Sequence, residues 1–264
     1  MGTTTDGDGL QRPSIGDGLR LAFTTLTVLR LRPGRVDRAT AALAMSLAPV
    51  AGLALGAGAA GVGLGLRAVG ASALLAAVAT VATTALLTRG LHLDGLADTA
   101  DGLGSYADRG RALEIMRRPD IGPFGVVTLV LVLLAQVAAT AALLARPWAS
   151  AAAGVVVAVT GGRVAITLAC RRGVPAARPD GLGALVAGTV PAAVALLWAG
   201  VVAAGSLPVV ADRPGKGPLA VLLGLLAAHG VLAHARRRLG GITGDVLGAM
   251  TEIAMTVILV ITSL

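Results

Sequence analysis

Charge, aromatic rings and cysteine are all scarce in this 264-residue chain. Only 14% of its residues are charged and 55% are hydrophobic, with a mean hydropathy of +0.83. A soluble domain carries about 25% charge, so too little polar surface remains here to coat a water-soluble globule. An ordinary soluble enzyme is excluded. Aromatic residues make up 2% and lysine occurs once, at Lys216. Modules that bind nucleic acid need stacking rings and basic stripes on a polar surface, so no nucleic-acid partner is expected and the net charge of +8 needs another origin. The one cysteine, Cys170, lies in an apolar run; it excludes an internal disulfide and is expected to pack as a small hydrophobe. The first nine residues lack the basic and apolar regions of a secretory signal. Residues 1–12 read as a disordered tail and 13–264 as a single membrane-embedded domain.

What the chain does have is apolar length. A helix needs about 20 mostly apolar residues to cross a bilayer, and seven stretches qualify, at roughly 39–66, 68–88, 121–145, 147–170, 181–211, 217–235 and 246–264. No period-two alternation suggests a barrel. The expected class is therefore all-α, a polytopic integral membrane helical bundle of about seven transmembrane helices. Sorting the 22 basic residues by loop places 17 on one side and four on the other, with Arg163 inside the fourth span. The positive-inside rule then puts the N-terminus in the cytoplasm. Most of the positive charge is an orientation signal. Residues 13–31 mix apolar residues with Arg20 and Arg30, which reads as an interfacial amphipathic helix or as a lead-in to the first span.

The scarcer acids are more informative. HLDGLADTADGLGS, residues 92–105, holds Asp94, Asp98 and Asp101 at spacings that share one face of a helix. Like charges stacked in this way repel unless a cation compensates them. A divalent metal is the natural compensation, and Mg²⁺ takes one or two carboxylates together with substrate phosphates. The plain alternative is a solvated acidic face, but Leu93, Leu96, Ala97, Ala100 and Leu103 interleave with the acids and need burial. His92 adjoins this face as a ligand, a hydrogen-bonding partner or simply a packed histidine. Downstream, Arg109, Arg111, Arg117 and Arg118 are suited to phosphate oxygens.

A second acidic pair, Asp245 and Glu252, lies seven residues apart in GGITGDVLGAMTE, and Glu252 falls about two turns inside the last span. An ionisable residue there is a functional candidate. Gly240, Gly241 and Gly244 make an amide-rich turn able to hold an anion at the helix N-terminus, while Thr243 or Asp245 acting as a cap is the structural alternative. A third segment, residues 170–183, brings Arg171, Arg172, Arg178 and Asp180 to the same side. GAGAAG at 56–61 fits a dinucleotide pattern but lacks the preceding strand; helix packing through small residues explains it better.

HLDGLADTADGLGS, ALEIMRRPDIGPFG (112–125), ARPDGLG (177–183) and GGITGDVLGA (240–249) together resemble the bacterial cobalamin synthase family, the adenosylcobinamide-GDP ribazoletransferases. The resemblance extends from about residue 18 to the C-terminus, although AFTTLTVLRL departs from the family's usual N-terminal stretch. It implies a Mg²⁺-dependent transferase in the inner membrane, with its active site on the cytoplasmic side. Such an enzyme joins adenosylcobinamide-GDP to α-ribazole or its 5′-phosphate and releases GMP. On that reading Asp94, Asp98, Asp101 and Asp245 are metal ligands. Asp98, Asp101, Asp245 and Glu252 are catalytic, and His92, Arg117, Arg118, Arg178, Gly241 and Gly244 bind substrate. A homo-oligomer or a complex with other corrinoid-assembly enzymes is left open. The alternatives are another Mg²⁺-dependent membrane phosphotransferase or prenyltransferase acting on a diphosphate, or a divalent-cation transporter. The CDP-alcohol phosphotransferase pattern fails, because Asp94-Gly95 is followed by Leu96-Ala97.

Overall fold

The computed structural model describes residues 13–32, 34–210 and 212–264; the N-terminal tail expected over 1–12 lies outside them. Twelve α-helices build the described chain. α1 (Ile15–Leu26) opens on a capping box between Ser14 and Asp17, buries Gly18, Leu21, Ala22 and Leu26, and packs on α2 (Arg38–Ser46). The stretch expected as a first span is divided. Pro49 in the first turn starts a new helix, α3 (Ala48–Ala68), directly after α2.

Six helical segments are long and apolar enough to cross a membrane. These are α3, α7 (Pro123–Leu144), α8 (Trp148–Ala169), α10 (Ala192–Gly205) with its short 3-10 extension to Val209, α11 (Lys216–Leu239) and α12 (Gly244–Ser263). α4 (Ala73–Leu87) counts toward a seventh crossing only together with α5 (Leu91–Gly104), into which the chain bends by 87°. The reversal occurs at Arg89 and Gly90, both with positive φ, +55° and +68°. α5 therefore lies across one end of the bundle instead of continuing α4. The expected 181–211 span is also interrupted: α9 (Gly181–Val186) stops before Gly188, at φ +70°, and Pro191, and only α10 continues.

α8 is the central helix and is mostly buried, whereas α7 and α10 expose leucines and valines such as Val127, Leu131, Leu134, Leu196 and Leu197 toward lipid. Crossings are set by small residues, as expected for helices packed in a bilayer. A Cβ on Gly56 would lie 2.9 Å from the Val156 Cα of α8 and one on Gly52 3.0 Å from the Thr160 Cα, so these two glycines form a packing seam, while Gly58 and Gly61 are exposed. The basic loops converge at one end. Ala177 donates to the Ile242 carbonyl at 2.9 Å and Ile242 to the Pro175 carbonyl at 2.9 Å, stapling the α8–α9 and α11–α12 connections. Arg109 and Arg238 donate to the carbonyls of Ala177 and Ala107. Part of the arginine surplus thus knits this end together. At the opposite end Arg146 donates to the Thr262 and Ser263 carbonyls, both at 2.7 Å, complementing the C-terminus of α12.

Candidate active site

α5 is held against the start of α12 by two glycines. A Cβ on Gly95 would sit 2.8 Å from the Asp245 Cα, and one on Gly248 would sit 2.9 Å from the His92 carbonyl oxygen. This close approach brings the first two aspartates of α5 beside Asp245. Asp94 is exposed and Asp98 and Asp245 are partly buried. Burial first, then the neighbouring carboxylates of Asp94, Asp245 and Asp101, push the Asp98 carboxyl up to about 7. Arg178 reaches the same cleft, 3.9 Å from the Asp245 carboxylate, while donating to the Leu113 carbonyl at 2.7 Å.

Two cavities meet here. The smaller, about 430 Å³, has Asp94, Arg178, Thr243, Gly244 and Asp245 at its rim and Leu26, Met45, Ile166 and Leu247 on its inner wall. The larger, about 930 Å³, carries Arg89, Arg117, Arg118, Asp94, Asp98 and Asp120. Leu91, Asp94 and Arg117 border both. Arg117 is also paired with Asp180 across the mouth, at 2.7 and 2.9 Å.

Several expected site residues take other roles. Asp101 is 7% exposed and accepts hydrogen bonds from Gly122 N–H at 2.7 Å and Gly125 N–H at 2.9 Å. Gly122, the N-cap of α7, has no side chain to cap with, so Asp101 supplies the cap from another helix. Sharing a helical face with Asp94 and Asp98 did not bring Asp101 to the lining of either cavity. Among the described residues, no group of three or more His, Cys, Asp or Glu is arranged to hold a metal ion. Glu252, 5% exposed, lies away from both cavities and accepts a hydrogen bond from Gln136 at 2.8 Å; its helical face is shared with Asp245, but its depth puts it among α7 and α8. Gly241 packs on the Pro175 and Ala176 backbone, where a Cβ would lie within 2.3 Å of an oxygen, whereas Gly244 does line the smaller cavity. The cap of α12 is Thr243, whose Oγ1 accepts from Val246 N–H. His92 is buried at the wall of the smaller cavity with its Nδ1 3.4 Å from the Arg163 guanidinium.

The sequence reading assigned no site role to Arg89 or Asp180 and missed the apolar inner wall. Arg89 is, in the sequence, one more basic residue of the connection after the 68–88 span, and Leu26, Met45 and Ile166 are ordinary members of apolar helices until the fold brings them together.

An acidic helix docked on a glycine-bearing helix N-terminus, at the basic end of a membrane bundle, is the arrangement on which the comparisons bear. The chain matches the cobalamin-5-phosphate synthase family over residues 18–263. It belongs to that family. Relatives named adenosylcobinamide-GDP ribazoletransferase include one from Frankia casuarinae, 46% identical over 92% of each chain. Another, from Nocardioides sp., is 42% identical over 90% of this chain and 95% of its own. A third, from Bradyrhizobium diazoefficiens, is 40% identical over 92% of each. No solved structure matches. For a cobalamin-5-phosphate synthase family member, the α5–α12 cleft is the natural place to look for the chemistry.

Proposed function

We propose that this membrane enzyme transfers the phosphocobinamide moiety of adenosylcobinamide-GDP to α-ribazole or its 5′-phosphate. The products are GMP and adenosylcobalamin or its 5′-phosphate, in cobalamin assembly. A ribazole hydroxyl oxygen forms a bond to the phosphorus attached to cobinamide, the bond from that phosphorus to the bridging oxygen of the diphosphate breaks, and GMP leaves with the electron pair. The hydroxyl proton passes to a carboxylate. Such a transfer is largely positioning plus neutralisation of charge. The observation that carries the reading is the α5–α12 contact, which gathers Asp94, Asp98, Asp245 and Arg178 in one cleft.

Uncompensated carboxylates beside a cavity lined with Arg117 and Arg118 fit Mg²⁺ of the kind that takes one or two protein carboxylates and completes its shell with water and phosphate. Asp94 and Asp98 would hold it, and it would supply Lewis-acid stabilisation of the leaving diphosphate oxygen. Asp245, beside Arg178, would accept the hydroxyl proton. Arg117 and Arg118 orient phosphate oxygens, Arg117 by exchanging Asp180 for the substrate. Purified full-length protein in detergent, given Mg²⁺, adenosylcobinamide-GDP and α-ribazole, should release GMP and form a complete corrinoid resolvable by chromatography. Metal uptake into vesicles with no GMP release would instead favour a transporter.

The Asp98 carboxyl must ionise to hold a cation, and it does so as pH rises through about 7. The Mg²⁺ concentration for half-maximal transfer is therefore expected to fall between pH 6 and 8, and a flat requirement across that range would remove Asp98 from the metal site. Folding is linked with the matching sign. The protonated carboxyl suits the folded site, so its contribution is present at acid pH and lost as pH rises through about 7 unless a cation compensates.

The basic end faces the cytoplasm of a bacterial cell in this proposal, from the distribution of arginines. Cys170 is buried, so a single introduced thiol reports topology. Arg237→Cys is expected to react with a membrane-impermeant maleimide only in inverted vesicles, and Asp212→Cys only in right-side-out ones. Reversed labelling would invert the orientation.

A further inference from the structure

We infer that the inner wall of the smaller cavity seats the apolar base of the acceptor nucleoside, with Met45, Ile166 and Leu247 determining which bases are accepted. The inference rests on the transferase reading above. A two-substrate transfer needs two binding volumes that meet at the reacting phosphorus, and this chain has two cavities sharing Asp94 and Arg117. Their linings differ in chemistry. The larger is ringed by Arg89, Arg117 and Arg118 and matches a diphosphate. The smaller turns from a polar rim at Asp94, Arg178 and Asp245 to a wall of buried apolar side chains: Leu26 from α1, Met45 from α2, Ile166 from α8 and Leu247 from α12.

α-Ribazole has the same polarity along its length, with ribose hydroxyls at one end and a flat, weakly polar benzimidazole at the other. Seated with its base inward, the nucleoside leaves its hydroxyls at Asp94 and Asp245, the side on which the phosphorus arrives. Burying a planar heterocycle there removes apolar surface from water without orphaning a charge. Met45 supplies an adaptable contact, while Ile166 and Leu247, on two packed helices, limit thickness and width.

Two measurements on the full-length enzyme test this. Free 5,6-dimethylbenzimidazole, the base without its sugar, is expected to inhibit GMP release competitively against α-ribazole and non-competitively against adenosylcobinamide-GDP. In a folded Ile166→Phe protein, checked by size-exclusion in detergent, the KM for α-ribazole should rise about tenfold, with the KM for adenosylcobinamide-GDP unchanged. Competition by the base against adenosylcobinamide-GDP, or an unchanged ribazole KM in Ile166→Phe, overturns the inference while leaving the function intact. Should Ile166→Phe not fold, the inhibition pattern of the wild type decides alone. Wild-type protein that releases no GMP overturns the transferase reading and this inference with it.

Discussion

Asp94→Asn is expected to keep the fold and lose about a hundredfold to a thousandfold of the transfer rate, a loss of the size seen when a charge-stabilising group at a transition state is removed. Both halves of that expectation come from position. Asp94 is exposed and borders both cavities, and among the described residues no hydrogen bond ties its carboxylate to the fold. The amide is isosteric but neutral, so it removes a ligand and a negative charge without opening a void. Thermal midpoints of the purified protein, with and without Mg²⁺, separate the two effects. The metal-free midpoint should match wild type, while the shift given by Mg²⁺ should shrink. Full GMP release from Asp94→Asn would move the chemistry away from the junction of the cavities.

Asp101→Ala should behave in the opposite way. The carboxylate is buried and holds two backbone amides at the start of α7, so truncation leaves both N–H donors unsatisfied and forfeits charge-assisted bonds. The cost is about 3 kcal/mol, or roughly 5–10 °C in the midpoint for a domain of this size. Asp101→Asn offers one acceptor oxygen where two are used and should fall between alanine and wild type. An unchanged midpoint in Asp101→Ala would show that α7 needs no external cap. The two aspartates lie seven residues apart on one helix, yet one variant is expected to fail in chemistry and the other in stability.

That contrast shows what could be read in advance. Apolar length and the arginine distribution specify the class of fold, because the cost of unpaired charge and backbone in lipid permits few alternatives. The pairing of the acidic segment with the turn before Asp245 was legible as two clusters on one side. Helical periodicity, however, reports only which side chains share a face. It is silent on what lies opposite that face, and for Asp101 the answer is the bare N-terminus of α7. Glu252 went astray for a related reason, since two turns along α12 carry it past the cleft to Gln136, a neutral partner on another helix. The division near Ala48 and the turn at Arg89 depend on how α2, α4 and α5 pack, which hydropathy does not encode.

The contact between α5 and α12 has a bearing on how the site tolerates change. At Gly95 and at Gly248 main chain meets main chain, so the separation between the aspartates of α5 and Asp245 is gauged by the thickness of two polypeptide backbones. At those two points side-chain volume has no part in it. Residues facing lipid can drift freely in size and shape, altering how long the protein lasts, while the carboxylates keep their spacing. An alanine at either glycine, a change of one methyl group, would re-space the charges on which the chemistry depends.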